Sequence, residues 1–121
     1  MGISVAHDSH NLVVLGDDDR AMARVVKLLQ EMGGGMAIVS ENGEDIFPLD
    51  IAGLMSSAPV SEVVRRTKEI QEKARAMGVK ECYEPFMTLV FLSLAVIPRI
   101  KLIDTGLFDL DKFGFVLLEE V

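Results

Sequence analysis

Both histidines of the chain fall inside one pentapeptide, His7-Asp8-Ser9-His10-Asn11. Imidazoles and carboxylates this close together are the groups that ligate metals or move protons near neutral pH. If the segment curls, His7, Asp8 and His10 supply three metal ligands, with Ser9 and Asn11 as hydrogen-bond partners behind them. The other reading is a tight loop in which Asp8, Ser9 and Asn11 bond the backbone and the histidines are exposed. Composition leaves both open, and in either case a strand-connecting loop is a common place for binding residues. Asp8, Ser9 and His10 also spell the members of a hydrolase triad. Adjacent side chains rarely converge into one relay, however, and no Gly-x-Ser-x-Gly elbow surrounds Ser9.

Other motifs carry less. Cys82 is the single cysteine and has no histidine beside it, so packing or exposure is its default, and no internal disulfide is possible. Gly33-Gly34-Gly35 follows a helix end, where the dipole is negative, and so does not cradle phosphate. Asp17, Asp18 and Asp19 precede a helix and read as its cap and first turn before they read as a cation site. Arg65, Arg66, Lys68, Lys73 and Arg75 alternate with glutamates on one helix, the pattern of a solvated face. Met and Phe are expected to fill the core.

The elements that must position the pentapeptide follow from patterning. Ser4 to Ala6 and Leu12 to Leu15 are short β-branched runs flanking it, which predicts a hairpin. A helix follows from Asp17–Asp19 to Gly33, with Met22, Val25, Val26, Leu28, Leu29 and Met32 as its apolar stripe. Met36 to Val39 and Asp45 to Leu49 form a second hairpin around Asn42-Gly43. Ile51 to Ser57 reads as irregular. A long helix then runs from Pro59 to about Met77, with Val60, Val63, Val64, Ile70, Ala74 and Met77 inward and Arg65, Arg66, Lys68, Glu69, Glu72 and Lys73 in solvent. Pro85 to Leu94 is apolar on every side and reads as a buried core element, a helix or a strand; Pro85 as a first-turn residue favours the helix. Thr105-Gly106 marks a turn and Phe113 to Leu118 a last strand. The fold class expected is α+β: a mostly antiparallel or mixed sheet covered by two or three helices, in one domain over residues 1–121.

Composition sets the outer bounds. With 121 residues, half of them hydrophobic, the chain has enough apolar material for one core but not for two. The net charge of -7 repels phosphate, so neither nucleic acid nor an anionic membrane is an expected partner. Pro85 to Pro98 is free of charge for fourteen residues, short of the roughly 20 that span a bilayer. No secretory signal opens the chain, and one cysteine suits a reducing compartment, so the cytoplasm is expected.

Ser4-Val5-Ala6-His7-Asp8-Ser9-His10-Asn11, Glu31-Met32-Gly33-Gly34-Gly35, Ile51-Ala52-Gly53-Leu54-Met55-Ser56, Pro85-Phe86-Met87-Thr88-Leu89, Val96-Ile97-Pro98 and Gly106-Leu107-Phe108-Asp109 follow one another in an order that resembles the C-terminal domain of adenine deaminases. The likeness extends over nearly the whole chain. Asp50 and Ala95 depart from it, standing where that family commonly carries proline, which is expected to loosen two turns.

The resemblance implies a hydrolase of the amidohydrolase superfamily that converts adenine and water to hypoxanthine and ammonia. In such enzymes a metal-bound hydroxide attacks C6 of the purine, and manganese or iron is held by histidines and an aspartate of a TIM-like barrel. That barrel and its ligands are not in this sequence, so the chain alone is not expected to be catalytic or to carry a cofactor. Its partners would be the catalytic barrel, as domain or subunit, and adenine in the assembled enzyme. His7, Asp8, Ser9, His10 and Asn11 are the residues expected near substrate or at the interface, and among them His7, Asp8 and His10 are the metal-ligand candidates. The alternative is a free-standing, non-catalytic module that binds a small ligand or oligomerises. Deprived of its neighbour, an apolar chain of this kind is expected to self-associate.

Overall fold

In a computed structural model, the chain is described over residues 1–7 and 9–120. Its elements are β1 (Gly2–Ile3), β2 (Val13–Val14), α1 (Asp19–Glu31), β3 (Gly35–Ser40), β4 (Gly43–Pro48), α2 (Val60–Ala76), α3 (Pro85–Leu92), β5 (Ile100–Ile103), β6 (Gly106–Asp109) and β7 (Gly114–Val116), followed by a 3-10 turn at Leu118–Glu120. They make two antiparallel sheets, β2-β1-β3-β4 and β5-β6-β7, so the expected α+β class holds. No helix among the described residues is long and apolar enough to cross a membrane.

The larger sheet separates two apolar layers because successive strand side chains point to opposite faces. Ala37 faces α1 and packs with Val25, Leu28 and Leu29. Its neighbour Ile38 faces the other way, onto Phe47, Ile70, Phe86 and Val90 beneath α2 and α3. Gly2 lies under α1, where an added Cβ would come within 2.6 Å of Val25. Helix α1 starts as its aspartates predict: the Ala21 N–H donates to Asp18 Oδ2 at 2.7 Å. Hairpin β3–β4 also forms as read, closing from Ser40 to Gly43.

Several expectations are corrected. The first strand is Gly2–Ile3, not Ser4 to Ala6, because the Ala6 carbonyl is taken by the His10 N–H at 2.6 Å and the chain turns away from the sheet. On α2 Ile70 and Ala74 are buried and Val63 packs against the core as expected, but Val60, Val64 and Met77 are exposed, and Val60, Val63, Thr67 and Gln71 line an open groove. Helix α3 forms as Pro85 suggests, but it is not a buried core element throughout: Met87, Phe91 and Leu92 are exposed while Phe86, Leu89 and Val90 are buried. Met and Phe are not uniformly core either, since Met55, Phe113 and Phe115 lie in solvent. The last strand is also shorter than Phe113 to Leu118, and β5 and β6 pair ahead of it.

Arg66 is likewise not a solvent residue. It is half-buried, donates to the Ile46 carbonyl at 2.7 Å and lies 3.2 Å from Asp45 Oδ1, fastening α2 to β4. Lys73 Nζ approaches Asp45 Oδ2 to 2.8 Å as a charge contact outside hydrogen-bond geometry. Burial pushes the Asp45 pKa up, but Lys73 and Arg66 outweigh it and hold the carboxyl below its ordinary 3.8. A depressed folded-state pKa contributes stability that is present above the ordinary value and lost as pH falls through the lower one. Asp45→Asn should therefore be less stable than the native chain at neutral pH, with the gap closing in acid below 3.8; urea midpoints across pH check this.

Candidate functional site

The pentapeptide is the tip of the β1–β2 hairpin. The hairpin base is closed by the Met1 amino group donating to the Leu15 carbonyl at 2.8 Å and by the Leu15 N–H donating back to the Met1 carbonyl at 2.9 Å. The tip is turned by the Ala6–His10 hydrogen bond, which holds His10 at φ 50°, the left-handed region that costs a non-glycine residue energy. Fully buried Ala6 anchors the turn, Ser9, His10 and Asn11 are exposed, and His7 is half-buried. Asp8 lies outside the described residues.

Two of the predicted residues meet. The His7 and His10 rings have centroids 6.4 Å apart at 57°, and His7 also lies 6.0 Å from the Phe91 ring of α3. No set of three His, Cys, Asp or Glu side chains converges among the described residues. Two imidazoles alone fall short of the three or four protein ligands of an ordinary transition-metal site, and the third candidate ligand, Asp8, is the one outside the described residues.

His7 opens onto a groove of about 630 Å³, within the size range of small-molecule sites. Its floor is the α2/α3 face of the larger sheet, with Ile3, Met36 and Phe47, and its walls come from residues 54–58, α2 and α3. Beside His7 and Thr67, three polar side chains on it are committed to structure. Glu84 Oε1 accepts from Gln71 Nε2 at 2.5 Å, and its other oxygen caps α3 by accepting from the Met87 N–H. Ser56 Oγ accepts from the Ala58 N–H at 3.2 Å. Its mostly apolar lining suits an apolar partner, and among the described residues no hydrogen-bonded acid–base pair lines it.

A junction behind the groove fixes its geometry. Buried Ser4 Oγ accepts from the Gly35 N–H at 2.7 Å and donates to the Gly53 carbonyl at 2.5 Å, tying β1, β3 and the 51–57 segment together. Gly34 and Gly53 touch backbone to backbone: a Cβ on Gly34 would lie 2.6 Å from Gly53 Cα. Three of the fixed phrases in the sequence thus converge on one contact. Asp50, expected to loosen its turn, instead fastens the same segment, accepting from the Ser57 N–H at 2.9 Å and from the Ser57 hydroxyl. Sequence reasoning missed the junction of Ser4 with Gly35 and Gly53, because those partners are 31 and 49 residues away. Cys82 is exposed with no nucleophile-activating neighbour among the described contacts.

The profile of the adenine deaminase C-terminal domain matches residues 1–114. The chain belongs to this family. Adenine deaminase 2 of Desulfotalea psychrophila is 49% identical over 123 residues, covering 98% of this chain and 21% of that protein. Adenine deaminase of Syntrophobacter fumaroxidans is 48% identical over 97% of the chain and 20% of its own length. Adenine deaminase of Methanothermobacter thermautotrophicus is 44% identical over 98% of the chain and 22% of its own length. The chain therefore spans about one fifth of the length of these relatives. The adenine deaminase C-terminal domain is, in this example, a sheet with α1 on one side and an apolar groove beside a histidine-bearing turn on the other.

Proposed function

We propose that this domain works within a cytoplasmic adenine deaminase of the amidohydrolase superfamily, which hydrolyses adenine to hypoxanthine and ammonia. The catalytic barrel and its manganese or iron come from outside residues 1–121. The His7–Asn11 turn, with the groove it borders, is this domain's contribution to the neighbourhood of the active site. The observation that carries the reading is His7, half-buried at the groove's edge 6.0 Å from Phe91, in a domain of the adenine deaminase family. Exposed Ser9, His10 and Asn11 are then free to meet purine, bound water or barrel loops. A homo-oligomer belongs to the same reading, supported by the exposed apolar surface.

The test is a chimera in which this chain replaces the matching fifth of the Desulfotalea psychrophila enzyme. His10→Ala and Asp8→Ala are each expected to lower kcat/KM for adenine by about tenfold or more. Unchanged kcat/KM for both rejects a part in substrate handling. A second reading, a non-catalytic module that binds a small ligand or oligomerises, is favoured by the groove itself, where Glu84, Gln71 and Ser56 are bound up in structure.

A further inference from the structure

We propose that the face of the β5–β7 sheet carrying Phe108, Phe113 and Phe115 is where this domain docks onto the remaining four-fifths of an adenine deaminase. The inference rests on the domain's place in such an enzyme. Register puts Lys101, Phe108 and Phe115 in one row across the three strands. Phe113 joins them on the same face: its ring meets Phe108 edge-on at 5.8 Å, and Phe108 meets Phe115 the same way at 5.6 Å.

Among the described residues, Phe113 and Phe115 of this aromatic row are left exposed. Neither core cluster contains a residue of β5, β6 or β7. Phe113 is 81% exposed and Phe115 61%. Phe113 also holds φ 48°, a left-handed backbone that a bulky side chain rarely adopts, while its ring projects into solvent. A three-stranded sheet owes its stability to an apolar face packed on something, and here that packing is missing.

Size and charge choose the occupant. Together Phe113 and Phe115 expose roughly 300 Å², counting a phenylalanine at about 200 Å². A stable dimer buries about 800 Å² on each partner, so this patch alone does not make one. A net charge of -7 on each copy opposes self-pairing as well. In the relatives the same domain is one fifth of a single polypeptide, so its docking there is intramolecular. A tethered domain gives up little translational freedom on docking, and a small aromatic anchor is then enough.

Amide hydrogen exchange over residues 106–116 tests this, comparing the isolated chain with the chimera described above. Exchange is expected to be at least tenfold slower in the chimera, and Phe113→Ser with Phe115→Ser should remove that protection while leaving the thermal midpoint of the isolated chain within a few degrees. Equal exchange in the two proteins overturns the inference. So does protection of the isolated chain that grows with its concentration, which would make a second copy the occupant. If the double variant fails to fold, the comparison of unsubstituted chain and chimera still decides. A chimera protected at this face yet inactive on adenine defeats the functional reading and keeps the interface; an active chimera with an unprotected face does the reverse.

Discussion

Gly53→Val is expected to cost about 4 kcal/mol or more, enough to leave a domain of this size largely unfolded. Two independent penalties add at this position. Gly53 has φ 70°, a conformation that a β-branched residue resists. Its new Cβ would also lie 2.6 Å from the Gly33 carbonyl oxygen and 3.2 Å from Gly34 Cα. Both obstacles are backbone and cannot rotate aside. Moving them would pull Ser4 away from its bond to the Gly53 carbonyl, leaving a buried hydroxyl and a carbonyl short of partners. Gly43→Ala is the control. Gly43 has φ 119° but nothing within 4 Å of a Cβ, so backbone strain acts there alone, and a loss of about 1 kcal/mol is expected. Urea unfolding of the two variants separates steric conflict from strain; similar losses for both would show that the Gly34–Gly53 contact is not what requires glycine.

Phe86→Ala is expected to destabilise the chain by about 3 kcal/mol, the lower end of the range for deleting a buried aromatic ring. Phe86 is 2% exposed and among the largest fully buried side chains. It also lines the groove, so the space its ring vacates is continuous with an opening that water or a neighbouring side chain can enter. A sealed void would have no such relief. Phe86→Leu, which refills most of the volume, should recover the larger part of the loss. A measured cost near 5 kcal/mol would place Phe86 in a closed core and contradict an open groove at this point.

What the sequence made legible was local. The Asp18 cap, the α1 stripe, the Asn42-Gly43 turn and Pro85 at the head of α3 each depend on neighbours within about four residues, and each formed as expected. Thr67 and Gln71 of α2 were not read as groove residues because the other walls of that cavity come from β1, β4 and α3. Hydrophobicity marked Val64 and Met77 as core, but only tertiary contact decides which helix face is covered. Strands β5 and β6 escaped notice since Ile100-Lys101-Leu102-Ile103 and Gly106-Leu107-Phe108-Asp109 are only four residues each, too short to display a period. The pentapeptide was found from composition, yet its pairing with Phe91 joins residues 84 positions apart in a way no spacing rule encodes.

The lone exposed thiol has a practical consequence. Cys82 precedes Glu84, which lines the groove, by two residues, and no other sulfhydryl competes with it for a maleimide. A polarity-sensitive dye attached there is two residues along the chain from a groove wall and is expected to report on its occupancy by emission, without any engineering of the sequence.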